Sequence, residues 1–236
     1  MGTGNIFRSG TGTGHILTAV FKPFSDLRAV DLAIFDAAGE DMEDLTAREQ
    51  FWRYALRASG IVFLIDPFGY ESIRGRLPKE LQERLLREQQ QFGAKPIHAV
   101  SSVLDSFNTS GLLKPGKKLP IPAAFVLTKT DMLRSVLPAD SLVLKDPKHD
   151  QGVNLSECRQ VSEELLAFLR THHCTDLIAK AEKAFKNYCF FGISALGELP
   201  GEDLSIRGEL QPTRVADPLF WILHQLGHVH TMRDVV

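Results

Sequence analysis

Three short apolar runs constrain this chain more than any other feature: Ile61-Val-Phe-Leu-Ile65, Ala123-Ala-Phe-Val-Leu127 and Tyr188-Cys-Phe-Phe-Gly-Ile193. Successive side chains on a strand point to opposite faces, so a strand with one wet face alternates apolar and polar residues. A run without alternation belongs in a parallel sheet covered on both sides. Each run stops abruptly, at Asp66-Pro67, at Thr128-Lys-Thr-Asp131 and at Ser194-Ala195-Leu196. Between the runs the apolar residues return at helical spacing. Pro78 opens a stretch that runs to Phe92 and Gly93, and Ile97 to Phe107 aligns Val100, Val103, Leu104 and Phe107. A long helix after Ser156 aligns Val161, Leu165, Leu166 and Leu169, and another is predicted from Asp176 to Phe185. Asp217-Pro218 is a good N-cap and first-turn pair for a last helix carrying Leu219, Phe220, Ile222, Leu223 and Leu226. Strands alternating with helices predict an α/β fold: a mostly parallel sheet with helices on both faces.

Upstream, His15 to Phe21 reads as a strand, with residues 31–35 as its antiparallel or neighbouring partner. The segment Asp31-Leu-Ala-Ile-Phe-Asp36 ends in a carboxylate and runs into Ala-Ala-Gly39-Glu40. Thr46-Ala-Arg-Glu49 is a capping box, predicting a helix to about Ser59 with Phe51, Tyr54, Ala55 and Ala58 on one face. Residues 1–14 hold five glycines and little to bury, and are expected to be a flexible segment. The remainder, 15–236, reads as one domain, with inserted stretches near 70–120 and 134–157.

Composition excludes several classes. With 27 basic and 29 acidic residues the net charge is −2, which offers no general attraction to nucleic acid or to an anionic membrane. No apolar run is long enough to cross a bilayer, and the N-terminus lacks the layout of a signal peptide. Cys158, Cys174 and Cys189 lack metal spacing and read as reduced thiols, so a cytoplasmic protein is expected.

The carboxyl ends of parallel strands line up along one edge of a sheet, and ligands bind there. Three polar clusters follow strands in this sequence: Asp36-x-x-Gly39, Thr128-Lys129-x-Asp131 and Ser194-Ala195-Leu196. A carboxylate at a strand end can hold Mg²⁺, and a glycine lets a backbone N–H approach a phosphate.

In order and residue type these clusters resemble those of the P-loop GTPases, from about residue 15 to 230. The phrasing Phe-Asp-Ala-Ala-Gly-Glu-Asp, with Gly-Ile-Val-Phe-Leu-Ile-Asp-Pro after the helix, is similar to bacterial double-GTPase domains of multi-component systems. The resemblance implies a G-domain-like fold that binds GTP or GDP with Mg²⁺. Asp131 would accept hydrogen bonds from guanine N1–H and its exocyclic amine. Lys129, beside Thr128, would cover the base with its stem while its ammonium ties loops together. Ala195 would offer a backbone N–H to the guanine carbonyl, with Ser194 and Leu196 shaping that turn. Asp36 would hold Mg²⁺ through water and Thr13, less surely Thr11, would close over it. Gly39 would sense the γ-phosphate.

Two departures qualify the resemblance. Glu40 stands where many relatives carry the glutamine that orients attacking water; its charge beside a γ-phosphate implies slow hydrolysis. The first strand–P-loop–helix unit is also lacking, since nothing before residue 15 supplies Gly-x-x-x-x-Gly-Lys-Ser/Thr. Gly111-Leu-Leu-Lys-Pro-Gly116-Lys117-Lys118 copies seven positions, but it follows a helix and precedes a strand, the reverse of the required context. Either the sequence begins beyond that unit or the fold has lost it. The expected function is therefore a guanine-nucleotide-binding, GTPase-like regulatory domain with protein partners. The alternative is a pseudo-GTPase that serves as a protein-interaction module.

Other features have plainer readings. His224, His228 and His230 have no carboxylate or cysteine at ligand spacing, and His172-His173-Cys174 reads as a helix end. Glu80, Glu83, Arg84, Arg87 and Glu88 form a solvated helix face. Phe190 and Phe191 read as core; Asp66, at a strand end, could approach the site, but Pro67 after it suggests the cap of a turn.

Overall fold

The computed structural model describes residues 6–9, 15–21, 30–36, 55–92, 96–149, 152–199, 201, 205–206 and 208–232, with backbone alone at 6–9, 15–21, 30–31, 35–36, 88–92 and 96. Strands β1 (Ile6–Ser9), β2 (His15–Phe21) and β3 (Val30–Asp36) form an antiparallel sheet in that order. Strands β4 (Ile61–Ile65), β5 (Ala123–Leu127) and β6 (Tyr188–Gly192) form a parallel one. The helices are α1 (Glu71–Arg74), α2 (Lys79–Phe92), α3 (Pro96–Thr109), α4 (Leu155–Thr171), α5 (Thr175–Ala184) and α6 (Asp217–Gln225).

The class is α/β, as the alternation of strands and helices requires. One mostly parallel sheet is not what forms: half the described strands pair antiparallel, and no strand pairing joins β3 to β4 among the described residues. Alternation predicts crossovers only where a helix separates two strands, and β2 and β3 are too close in sequence for one. Ile6–Ser9 also departs from the expected flexible segment. Ile-Phe-Arg-Ser is an island of strand-favouring residues among glycines, and β2 supplies its partner, with Ile6 opposite Ala19. The helix expected from Thr46 falls mostly outside the described residues.

The parallel sheet is fixed by an aromatic row. Phe63, Phe125 and Phe190 stand directly opposite one another on the three strands. Their rings stack at 5.0 and 5.1 Å between centroids, and Phe185 meets Phe63 and Phe125 edge-on at 6.0 and 5.9 Å. Offset stacking and edge contact are the favoured aromatic geometries. A slip of one residue would turn each strand's set of side chains to the other face, placing Phe125 beside Val62 or Leu64. All five residues of β5 are 0 % exposed, so it is the middle of the core, as its unbroken apolar run requires.

The two faces and two edges of this sheet differ. The phenylalanine face is sealed by Val103 and Phe107 of α3, Leu165 and Leu169 of α4, and Leu177 and Ala181 of α5. The opposite face carries Ala124, Val126 and Phe191, covered by Trp221, Ile222 and Leu223 of α6. At the β6 edge α4 lies alongside, and Ser162 Oγ accepts the Phe190 N–H at 3.0 Å. A covered edge cannot recruit stray strands. At the β4 edge Val62 and Leu64 remain exposed.

A buried charge cluster fastens the 134–157 stretch to this frame. Arg214, 2 % exposed and in the left-handed region (φ 57°), donates to Glu157, to Asp217 Oδ2 at 2.8 Å and to the Leu142 carbonyl at 2.8 Å. Asp217 also lies 3.1 Å from His149 Nε2, while His149 Nδ1 accepts the Asn154 N–H at 3.1 Å. That N–H fixes the tautomer, leaving the proton on Nε2 to be given to Asp217. One guanidinium therefore ties the 142–154 segment to the N-termini of α4 and α6. Removing it leaves two buried carboxylates without their cation.

Two outcomes are expected from urea unfolding. Phe125→Ala should cost about 3–5 kcal/mol, as cavities under large core rings do. Arg214→Met should cost about 3–5 kcal/mol at neutral pH, and part of that loss should be recovered in Arg214→Met/Glu157→Gln. A cost below ~1 kcal/mol for Arg214→Met would mean that the cluster does not hold the segment.

Candidate functional site

Register decides which loops meet. Ile65, Leu127 and Gly192 are level across the sheet, so Asp66, Thr128 and Ile193 leave it side by side. Backbone bonds lace these exits together before any side chain contributes. The Thr128 N–H and hydroxyl both donate to the Ile65 carbonyl, at 2.9 and 3.3 Å. The Ile193 N–H donates to the Leu127 carbonyl at 2.8 Å, and the Thr130 N–H to the Ile193 carbonyl at 3.1 Å. Gly192 permits the close approach: a Cβ there would lie 2.6 Å from Val143 Cγ1 and 3.0 Å from Thr130 Cγ2.

Lys129 turns the chain after β5. Its φ of 56° and ψ of 36° are left-handed, a conformation that strains a residue with a Cβ, and it leads the 3₁₀ turn Thr130–Ser135. Its Nζ lies 2.9 Å from Asp66 Oδ2. The other oxygen of Asp66 accepts the Phe68 N–H at 2.9 Å and caps the turn Pro67–Gly69. Asp66 is thus a cap, as the sequence implied, and also an ionic partner on the rim, which the sequence did not disclose. The available signal was that β4 ends level with β5.

Asp131 and Ser194 join the second and third loops. The Ser194 hydroxyl donates to Asp131 Oδ1 at 2.6 Å and accepts the Gly197 N–H at 2.9 Å. Ser194 is 2 % exposed, and its backbone bridges Thr213 in both directions at 3.1 and 2.8 Å. Gly197 has φ 84° and a Cβ there would sit 2.6 Å from the Gln211 carbonyl, so no other residue fits this turn. Leu196 gives its carbonyl to the Gln211 N–H at 3.0 Å. Ala195, between them, is exposed, and its N–H makes no hydrogen bond among the described residues.

Thr128, Lys129, Asp131, Ser194, Ala195 and Leu196 therefore come together at one rim. Asp36 closes β3 opposite His15 in the other sheet, and its side chain lies outside the described residues, as do Thr13, Gly39 and Glu40. A carboxylate has about four acceptor positions, and one hydroxyl leaves most of Asp131 for a ligand. Ala195 follows Ser194 in the chain, so its N–H belongs to the same rim loop as the serine that holds Asp131.

The stretch Gly111–Lys118 does not have the setting of a phosphate loop. Gly111 and Gly116 have φ of 76° and 70° in the open connection after α3, so this stretch follows a helix and feeds a strand. No helix N-terminus follows to receive an anion. His224 Nδ1 donates to the Val229 carbonyl at 2.8 Å, a local closure after α6. No group of three or more potential metal ligands occurs among the described residues. The cysteines are buried and burial pushes their thiols up, Cys174 to about 11 and Cys189 to about 12, away from nucleophilic use. No described helix is long and apolar enough to cross a membrane.

No family model matches the chain, and no solved structure matches it. A protein of Mycolicibacterium smegmatis named "Putative ESX-1 scaffolding and assembly protein SaeC" is 26% identical over 213 residues, 83% of this chain and 51% of that relative. The chain spans about half the length of the curated relative it matches.

Proposed function

We propose that this chain is a guanine-nucleotide-binding domain of regulatory type, with its base-reading half built into the parallel sheet. The observation that supports it most is the hydroxyl of Ser194 on Asp131. That bond joins Asp131 to a residue 63 positions further along, whose neighbour Ala195 is exposed. Guanine presents N1–H and an exocyclic amine beside a carbonyl, and Asp131 with Ala195 is the matching set. Adenine presents an acceptor where guanine has N1–H, which would set two acceptors face to face. Such a mismatch in a hydrogen-bonding site is discriminated strongly.

The β- and γ-phosphates and Mg²⁺ would need Asp36, Thr13 and a phosphate cradle. With Glu40 at the water-orienting position, turnover of GTP would be slow. Binding, rather than hydrolysis, is then the functional event. A second reading has its own support: SaeC is named as a scaffolding and assembly protein, which favours a protein-interaction module in a multi-component system. The two readings are compatible if nucleotide binding sets the state of an assembly surface.

Titration calorimetry with GDP, GTP, ADP and ATP, each with Mg²⁺, tests the first reading. GDP should bind and ADP should be weaker by at least about a hundredfold. Asp131→Asn should lose guanine and gain xanthine, because the asparagine amide can donate to the second xanthine carbonyl. Equal affinity for guanine and adenine nucleotides would refute base recognition. Absence of all nucleotide binding would leave the interaction module as the better account.

A further inference from the structure

We infer that Asp66 is a positioning residue for nucleotide recognition, holding Lys129 across the mouth of the base site. The inference rests on the guanine-binding reading above. Asp66 and Lys129 come from different strands and meet at 2.9 Å, with side chains 42 and 41% exposed. An ion pair so open to water adds little to stability. Its geometry is nevertheless fixed at both ends. Asp66 is immobilised by the Phe68 N–H on its Oδ1, which leaves Oδ2 for the ammonium. Lys129 is held in the left-handed region, with Thr128 before it bonded to the Ile65 carbonyl and Thr130 after it bonded to the Ile193 carbonyl. A strained residue kept in place by its neighbours, at a rim where three loops meet, is the signature of pre-organisation rather than of folding.

The consequence is directional. Lys129 and Asp131 lie two residues apart on one turn, and Ser194 fixes the carboxylate. Asp66 fixes the ammonium on the other side, so the half-exposed four-carbon stem runs from the β5 exit to the β4 exit. A stem held in this way presents apolar methylenes to one face of a planar base while the carboxylate reads its edge. Less side-chain freedom then remains to be lost when the ligand arrives. Asp66 acts through Lys129 and does not itself touch the base.

A double-mutant cycle tests this with GDP as the probe. Asp66→Asn keeps the Oδ1 acceptor for Phe68 and removes the charge; Lys129→Gln removes the ammonium. Each single variant should weaken GDP binding by roughly tenfold, and the double variant should be no weaker than Lys129→Gln alone. The urea midpoints of all three should stay close to that of the wild type, which separates positioning from structural damage. Wild-type affinity in Asp66→Asn, multiplicative losses in the double variant, or a loss matched by unfolding would each overturn the inference and leave the guanine reading standing. Absence of GDP binding by the wild-type chain would overturn both.

Discussion

The stacked row Phe63–Phe125–Phe190 is the constraint on which the rest of this structure depends. Hydrogen bonding between parallel strands accepts more than one register; apolar side chains that must share a face do not. Because the rings lie on one level, the ends of β4, β5 and β6 also lie on one level. The loops at 66, 128–131 and 193–197 then leave the sheet as neighbours. Packing in the core and polar chemistry at the rim are two ends of the same three strands.

That coupling explains why the rim needs few side-chain bonds to be ordered. Backbone groups of Thr128, Thr130 and Ile193 link adjacent exits, and two charge-assisted contacts, Ser194 to Asp131 and Lys129 to Asp66, set the functional groups. Charge-assisted hydrogen bonds are the stronger kind. The second cluster, around Arg214, is buried where the first is open. It fastens the 142–154 segment behind the rim, and Val143 in turn closes on Gly192. The division follows burial: a buried guanidinium among carboxylates holds structure, whereas the half-exposed pair of Lys129 and Asp66 adds little to it.

Much of this was legible in the sequence for a physical reason. The run Ala123–Leu127 has no polar residue to place in water, and the structure leaves it 0 % exposed, whereas Val62 and Leu64 of the equally apolar β4 stay exposed at the sheet edge. Helices α2 to α6 carry apolar residues at helical spacing, and they form within a few residues of the predicted bounds. The pairing of β3 with β2 was expected as antiparallel or neighbouring and forms antiparallel, whereas β1 was not foreseen. Strand direction depends on the length of the connection and on which edge is free, and neither is a local property of Ile6–Ser9 or Val30–Asp36. That the six residues expected around a base leave the sheet at one edge was legible from their strand-end positions. The pairing of Asp66 with Lys129 and of Arg214 with Glu157 was not legible, because an ion pair between residues 63 or 57 positions apart leaves no periodic trace. Nor does a glycine such as Gly197 announce that Gln211 will cross beside it.

The central claim is that level strand ends assemble one guanine-reading rim, and an amide-resolved titration measures it most directly. In ¹H–¹⁵N spectra recorded with increasing GDP, the amides of Thr130, Asp131, Ser194 and Ala195 should shift together along one binding curve, while ADP leaves them in place. Identical responses to GDP and ADP, or shifts confined to one of the two loops, would contradict the account.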